Sequence, residues 1–241
     1  MLGLNFGLTH HNEVTYDPPI YSMSFDGTND YISFTETSFP IHGVGEDLSI
    51  SFWAKRTDNN DEAVVLGNSA SGSYKRMYFD SDGNRLDIES DQNGQLAHAA
   101  VTQNTDWHHY VITADGRGAG TASSVVMYED GGALTTTHGN FGVSEGKDFT
   151  VNRIGADTNT DGTKEFKGLL YQVAIWTGRT LNATQVAEIY NGGNPTSLLS
   201  KTYQPSHLWR FDEGSGSTTA DSVGSLTGTI TNATFSSTTP S

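Results

Sequence analysis

Between Gly168 and Gly193 the chain reads GLLYQVAIWTGRTLNATQVAEIYNGG, and this run narrows the folds open to it. Leu169, Tyr171, Val173 and Ile175 recur at every second position, with Gln172 and Ala174 between them, which is the period of a strand with one buried face. Gly178 breaks the run. Asn182 then offers a side-chain acceptor to the first amides of a helix. Gln185, three residues on, can reach back to the Asn182 amide, the reciprocal pattern of a capping box. Val186, Ile189 and Tyr190 give that helix one apolar face, and Asn191-Gly192-Gly193 ends it with residues that tolerate left-handed backbone. The remaining periodicities are those of strands, so the expectation is an all-β fold with one short helix.

Leu48 to Arg56 alternates in the same way, with Leu48, Ile50, Phe52 and Ala54 on one face. Trp53 falls on the other face, where it either packs against an arm or loop or stays exposed. Tyr74 to Asp80 and Arg85 to Glu89 read as a hairpin about Ser81-Asp82-Gly83-Asn84, whose Asp-Gly suits a tight turn. Residues 107–113, 125–129 and 149–155 read as further strands. His108 and His109 are adjacent in one of them, so they point to opposite faces and are not a shared metal site. Twenty-seven glycines fit many short strands and tight turns, and an aromatic content of 10% argues against disorder. A chain of 241 residues is expected to hold one domain. Residues 1–19 read as an arm ahead of it: Leu2, Leu4, Phe6 and Leu8 alternate, and His10-His11-Asn12 and Pro18-Pro19 interrupt any regular element. Such an arm pairs with a neighbouring subunit or lies as an extra edge strand. The domain plan is therefore an arm over 1–19 and a single domain over 20–241.

Several segments together resemble laminin-G-like, concanavalin-A-like jelly-roll domains. The run 168–193 is similar to their closing strand and short helix, except that Tyr171 and Gln172 stand where an acidic pair is usual. Ser22 to Phe34, SMSFDGTNDYISF, resembles their entry hairpin, and LSISFW, DWHHYVITADG, VVMYEDGG and FTVNRIG resemble successive strands. The tail, SHLWRFDEGSG followed by DSVG and GTITNATF, resembles wording that normally opens such a domain, yet here it follows the helix. Either a second domain is truncated after its first strands, or the order is circularly permuted and strands within 206–235 close the first sandwich. Two strands cannot bury a core alone, so permutation is the expectation. The fold class is thus an all-β, antiparallel, concanavalin-A-like jelly-roll sandwich with one short helix, circularly permuted.

A formal charge of -15 argues against nucleic acid and against anionic membranes as partners. No stretch approaches the roughly 20 apolar residues of a membrane span. MLGLNFGLTHHNEV lacks the basic start and apolar core of a secretory signal. There is no cysteine, which excludes disulfides.

Asp157, Asn159 and Asp161, followed by Gly162, give the first half of a calcium loop, and Glu165 sits at its ninth position. Gly168 occupies the twelfth position, where a bidentate Glu belongs, so Ca2+ would bind in another geometry. Asp26 and Asp30 flank the entry turn, as turn-stabilising side chains or as a second calcium candidate. Asp87, Glu89 and Asp91 alternate on one strand. Glycoside hydrolysis needs two carboxylates about 5–10 Å apart, which alternate positions supply, but the reading preferred is a solvated outward face with no catalytic residue. Trp53, Tyr78 and Trp107 are candidate rings for stacking on sugars, each with core packing as its other role.

The resemblance implies a non-enzymatic recognition domain that binds glycans or proteins through loops at one rim, often with calcium. Together with the arm it implies a structural or decoration protein of a tailed bacterial virus, displayed on the virion surface. Residues 1–19 would dock the domain to further copies of itself and to other virion proteins, and a host cell-surface polysaccharide is the candidate ligand. The alternatives are a glycan-degrading enzyme of the concanavalin-A-like class and a secreted adhesion domain.

Overall fold

A computed structural model describes residues 20–41, 46–57, 62–70, 75–80, 84–91, 94–116, 124–139, 148–157 and 164–241. The arm over 1–19 lies outside these residues. In chain order the first strands are β1 (Ser22–Asp26), β2 (Tyr31–Phe39), β3 (Leu48–Arg56), β4 (Ala63–Gly67), β5 (Lys75–Phe79), β6 (Arg85–Asp91) and β7 (Gly94–Ala100). There follow β8 (Trp107–Asp115), β9 (Ser124–Glu129), β10 (Gly132–Ala133), β11 (Thr136–His138), β12 (Phe149–Ile154) and β13 (Lys167–Thr177). The helix α1 (Ala183–Tyr190) precedes β14 (His207–Trp209), β15 (Thr218–Thr219), β16 (Gly228–Thr231) and β17 (Thr234–Ser236).

Among the described residues the strands form two antiparallel sheets. One has eight strands in the order β10-β9-β8-β3-β13-β1-β17, with β14 also paired to β13; the other has nine, in the order β11-β7-β6-β5-β4-β12-β2-β16-β15. Between them lies one large apolar cluster, fed by alternate residues of both sheets: Ile50, Phe52 and Ala54 from β3, Met77 and Phe79 from β5, and Tyr110 and Ile112 from β8. Phe52, Phe79 and Tyr110 pack ring on ring, with centroids 5.2–6.3 Å apart. The result is the jelly-roll sandwich that the strand periods imply.

In β13 the alternation changes phase. Leu170, Val173 and Ile175 face the core, whereas a strict period of two would group Leu169 and Tyr171 with Val173 and Ile175. The register against β3 shifts between Tyr171 and Ala174, and Gln172 takes a left-handed backbone conformation with φ 51°. This is a β-bulge. It turns Tyr171 outward with Ala174 and Trp176, and the Gln172 side chain donates to the Thr196 carbonyl at 2.8 Å.

The helix forms as its caps require. Asn182 accepts from the Gln185 amide, Gln185 accepts from the Asn182 amide, and Asn191 closes the helix in left-handed geometry. Val186 and Ile189 are buried in a second apolar cluster with Val111, Ala174, Trp176 and Leu208 on the outer face of the eight-stranded sheet.

The tail pairs into both sheets: β14 with β13, β16 with β2 and β17 with β1. Its hub is Asp221. That carboxylate accepts the backbone amides of Leu208 (2.9 Å), Gly224 (2.9 Å) and Leu226 (3.1 Å) and meets His207 Nδ1 at 2.7 Å. Burial opposes ionisation, but the His207 contact and these amides outweigh it and hold the carboxyl well below its usual range.

Candidate functional site

The candidate residues divide between the two outer faces of the sandwich. On the eight-stranded sheet, β3 runs antiparallel to β8 with Trp53 opposite His109 and Lys55 opposite Trp107, so all four share one face. Trp53 is 1% exposed. Its indole lies 4.7 Å from the His109 ring and stacks on Tyr190 of α1 at 5.8 Å. Gly131, at φ +77°, gives Tyr190 its room, since a Cβ there would stand 2.9 Å from the Tyr190 ring. Packed against both rings and closed off from solvent, Trp53 is a packing residue in this structure rather than a sugar platform. Trp107, at the strand's start, stays half-buried. The indole N–H groups of Trp53 and Trp107 are shielded from solvent and, among the described residues, have no hydrogen-bond partner.

His109, also 1% exposed, meets Ser51 Oγ through Nε2 at 2.8 Å. Burial depresses its pKa to about 3, so it is a neutral imidazole in the folded state. His108, its neighbour, points the other way, toward Asp130 and Asn104.

On the nine-stranded sheet the outer face is a ladder of opposite charges. Arg76 of β5 lies opposite Glu89 of β6. Its guanidinium contacts Glu89 (2.8 Å) and Glu62 (3.0 Å) and lies 3.6 Å from Asp157. Lys164 also reaches Glu62, at 3.0 Å. Tyr78 donates its hydroxyl to Glu89 at 2.9 Å, and the Arg76 guanidinium covers its ring at 4.0 Å. Tyr78 is therefore buried beneath a cation, and a sugar has no open ring face to stack on. Asp87 is fully buried and accepts from Arg85 Nε at 2.9 Å. Burial raises its pKa and the Arg85 contact lowers it, with burial prevailing. Asp87 and Glu89 thus share the face that alternation predicts, but it is a face of ion pairs and not a solvated one. The side chain of Asp91 lies outside the described residues.

The calcium candidates fall in two places. Asp157 and Glu165 stand on either side of residues 158–163, and next to them the Phe166 amide donates to the Gly155 carbonyl at 2.8 Å. Asn159 and Asp161 lie outside the described residues. Asp157 faces Arg76, and Glu165 accepts from the Lys164 amide at 3.0 Å. Asp26 and Asp30 act within their turn: Asp30 accepts the Asp26 amide (2.7 Å) and Asp26 accepts the Thr28 amide (2.8 Å). Among the described residues no three metal-ligating side chains gather into one cluster. None of the described helices is long and apolar enough to cross a membrane.

Arg76 and the contact of Tyr190 with Trp53 are the parts of these layers that are absent from the candidates above. The Asp-Gly hairpin fixes a register that sets Arg76 against Glu89, so that pair was there to be found. Tyr190 was placed on an apolar helix face, but its contact with Trp53 spans too much sequence for local pattern to reveal.

The sequence matches the family described as the concanavalin A-like lectin/glucanases superfamily over residues 26–187. No curated protein matches the chain in sequence. Among solved structures, the native heptameric SAP-like pentraxin of Limulus polyphemus is similar with a TM-score of 0.56 at 15% identity, over 90% of this chain and 97% of that one. The binding domain of botulinum neurotoxin DC, solved with rat synaptotagmin II, gives a TM-score of 0.43 at 13% identity, over 60% of this chain and 35% of that one. The Trypanosoma rangeli sialidase in complex with 2,3-difluorosialic acid gives 0.42 at 14% identity, over 60% of this chain and 22% of that one. At 15% identity the likeness to the pentraxin is one of fold. The family match spans about two thirds of the chain, and this chain belongs to the concanavalin A-like lectin/glucanases superfamily.

Proposed function

We propose that this chain is the recognition domain of a virion structural protein, displayed on the particle surface and contacting host cell-surface polysaccharide at the edge that carries Trp107. The observation that carries the recognition reading is the state of the aromatic groups there. Trp107 is half-buried at the start of its strand, so part of the residue stays open to solvent. Aromatic rings stack on the apolar faces of sugars. The formal charge of -15 favours a neutral polysaccharide over an anionic one.

The virion reading rests on the alternating arm over 1–19, which would tie the domain to further copies and to other virion proteins. The heptameric state of the Limulus pentraxin gives a precedent for assembly by this fold. Calcium belongs to the same reading, at the loop between Asp157 and Glu165 beside the Arg76 guanidinium. The tail's wording and its pairing with β1, β2 and β13 support a circularly permuted order within a single domain over 20–241.

An enzymatic alternative has one observation in its favour: Asp87, with its pKa raised by burial, shares a strand face with Glu89. Against it, Asp87 is closed off from solvent and both carboxylates hold cationic partners. Glycoside hydrolysis needs one carboxyl ready to protonate the leaving oxygen and another ready to attack or to activate water.

The test is a glycan array probed with wild type and with Trp107→Ala, at neutral pH with calcium and then with chelator. Binding by wild type that is lost in the variant at unchanged melting temperature is the expected result. Equal binding by both moves the site elsewhere. Native mass before and after deletion of residues 1–19 tests the arm: a multimer that becomes monomeric is expected. A rise in melting temperature with calcium places the ion in the folded state by linkage.

A further inference from the structure

His108 stands at the start of β8 beside Trp107, and both of its ring nitrogens face acceptors. Nδ1 lies 2.6 Å from Asp130 Oδ2 and Nε2 lies 2.9 Å from Asn104 Oδ1. The Asn104 oxygen also accepts the Asp106 amide at 2.8 Å. Flipping the Asn104 amide to offer its NH2 group would lose that bond, so Nε2 must donate. The other Asp130 oxygen accepts the His109 amide at 2.9 Å, and a carboxylate has no proton to give, so Nδ1 must donate as well. Only the imidazolium satisfies both contacts.

We propose that His108, as an imidazolium, clasps the loop over 102–106 to the turn after β9, and that its deprotonation opens this clasp at the edge carrying Trp107.

The surrounding charges fit this assignment. From β9, Glu129 lies 3.7 Å from Nδ1 and Asp130 makes the short contact; from the loop, Asp106 adds a third negative charge. From β3, Arg56 donates to the Thr102 carbonyl at 3.0 Å and faces Glu129, and Lys55 donates to the Thr105 carbonyl at 2.6 Å. From β8 itself, Tyr110 donates to Glu129 at 3.2 Å. Arg56 thus faces Glu129 and also Asp80, and the imidazolium is the cation that meets Asp130. Glu129 completes the clasp by accepting the Thr102 amide and hydroxyl at 3.0 Å.

The hydrogen bond to Asp130 is the main reason that the His108 pKa is raised; burial opposes it, and the charges of Asp130, Glu129 and Asp106 add to the rise. Asp130 is correspondingly lowered: burial opposes this, but the bonds from His108 and from the His109 amide prevail. A folded value above the unfolded one means that the clasp's stabilisation is complete below about pH 6.5 and is lost as pH rises through the folded value. A neutral ring must turn a lone pair toward Asp130 or Asn104, and that link fails.

The effect on ligand binding rests on the recognition function proposed for the Trp107 edge; the clasp itself does not. The test is an NMR titration of the His108 ring on the full chain between pH 5 and 9. Hydrogen exchange at the Thr102, Asp106 and His109 amides, corrected for intrinsic rates, is followed alongside. Expected are a ring midpoint above 6.5 and protection of the three amides that falls through the same midpoint. In His108→Gln that protection should be low at every pH. In Asp130→Asn, which removes that charge, keeps an oxygen for the His109 amide and leaves β8 intact, the midpoint should move back toward about 6.5. A ring that titrates at or below 6.5, or amide protection that does not follow it, overturns the clasp. If a glycan is bound, its affinity at the Trp107 edge should fall over the same pH range. Absence of any glycan binding counts against the recognition reading alone, and the ring titration still decides the clasp.

Discussion

On the outer face of the eight-stranded sheet, Trp53, His109 and Tyr190 stack into a nearly dry layer beneath α1. On the outer face of the nine-stranded sheet, Arg76 draws Glu62, Glu89 and Asp157 around one guanidinium. Both faces would be solvated in a plain sandwich, and both are closed, one by apolar packing and one by charge pairing. The difference shows which of the candidate rings stays open to solvent. Sequence candidates deep in either layer, Trp53 and Tyr78, are consumed by the layer itself. Trp107 sits where the aromatic layer ends and keeps a solvent-facing part.

The largest expected effects break each layer at its centre. Trp53→Ala should cost about 3–5 kcal/mol, through lost burial and the cavity beside Tyr190. Arg76→Ala should cost a similar ~3–5 kcal/mol, because it leaves the buried Asp157 and the half-buried Glu89 without their shared cation. Urea unfolding measures both. A double-mutant cycle sharpens the contrast: Glu89→Gln should recover part of the Arg76→Ala loss and none of the Trp53→Ala loss. Additivity in both cases would mean that the ladder is not a coupled unit.

Acid should weaken the aromatic layer. The folded pKa of His109, about 3, lies below the unfolded value of about 6.5, so its contribution is complete above pH 6.5. As pH falls from there toward 3 the loss should approach about 1.4 kcal/mol per pH unit for this one group. His109→Gln, whose amide reaches the Nε2 position facing Ser51 and cannot titrate, should remove that slope from a plot of stability against pH. An unchanged slope would place the acid sensitivity elsewhere. Asp221 adds its own loss only at lower pH, because its depressed carboxyl gives stability that is present above about pH 3.9 and falls away below it.

Trp107→Ala should have the smallest effect on folding, about 1–2 kcal/mol for a half-buried ring, and the largest on ligand contact. A large stability loss without a binding loss would make Trp107 a packing residue like Trp53.

Local pattern carried much of the fold. Alternation placed Leu48, Ile50, Phe52 and Ala54 in the core, and the caps of α1 follow from Asn182, Gln185 and Asn191. It failed at β13, because a bulge at Gln172 reverses the phase without any Gly or Pro to mark it. The site was less legible for a related reason. A tryptophan on the outer face of a strand reads as exposed until a helix more than a hundred residues later covers it. An acidic row reads as solvated until an arginine from the next strand meets it. Those outcomes depend on contacts between distant segments, and no periodicity encodes them.

The most direct test of recognition without hydrolysis is to incubate purified full-length protein with the glycan it binds most tightly and to count reducing ends released over time. The expected result is sustained binding with no release above a protein-free control. Release by wild type that disappears in an Asp87→Asn, Glu89→Gln double variant with retained fold would contradict it and make the ionic ladder a catalytic site.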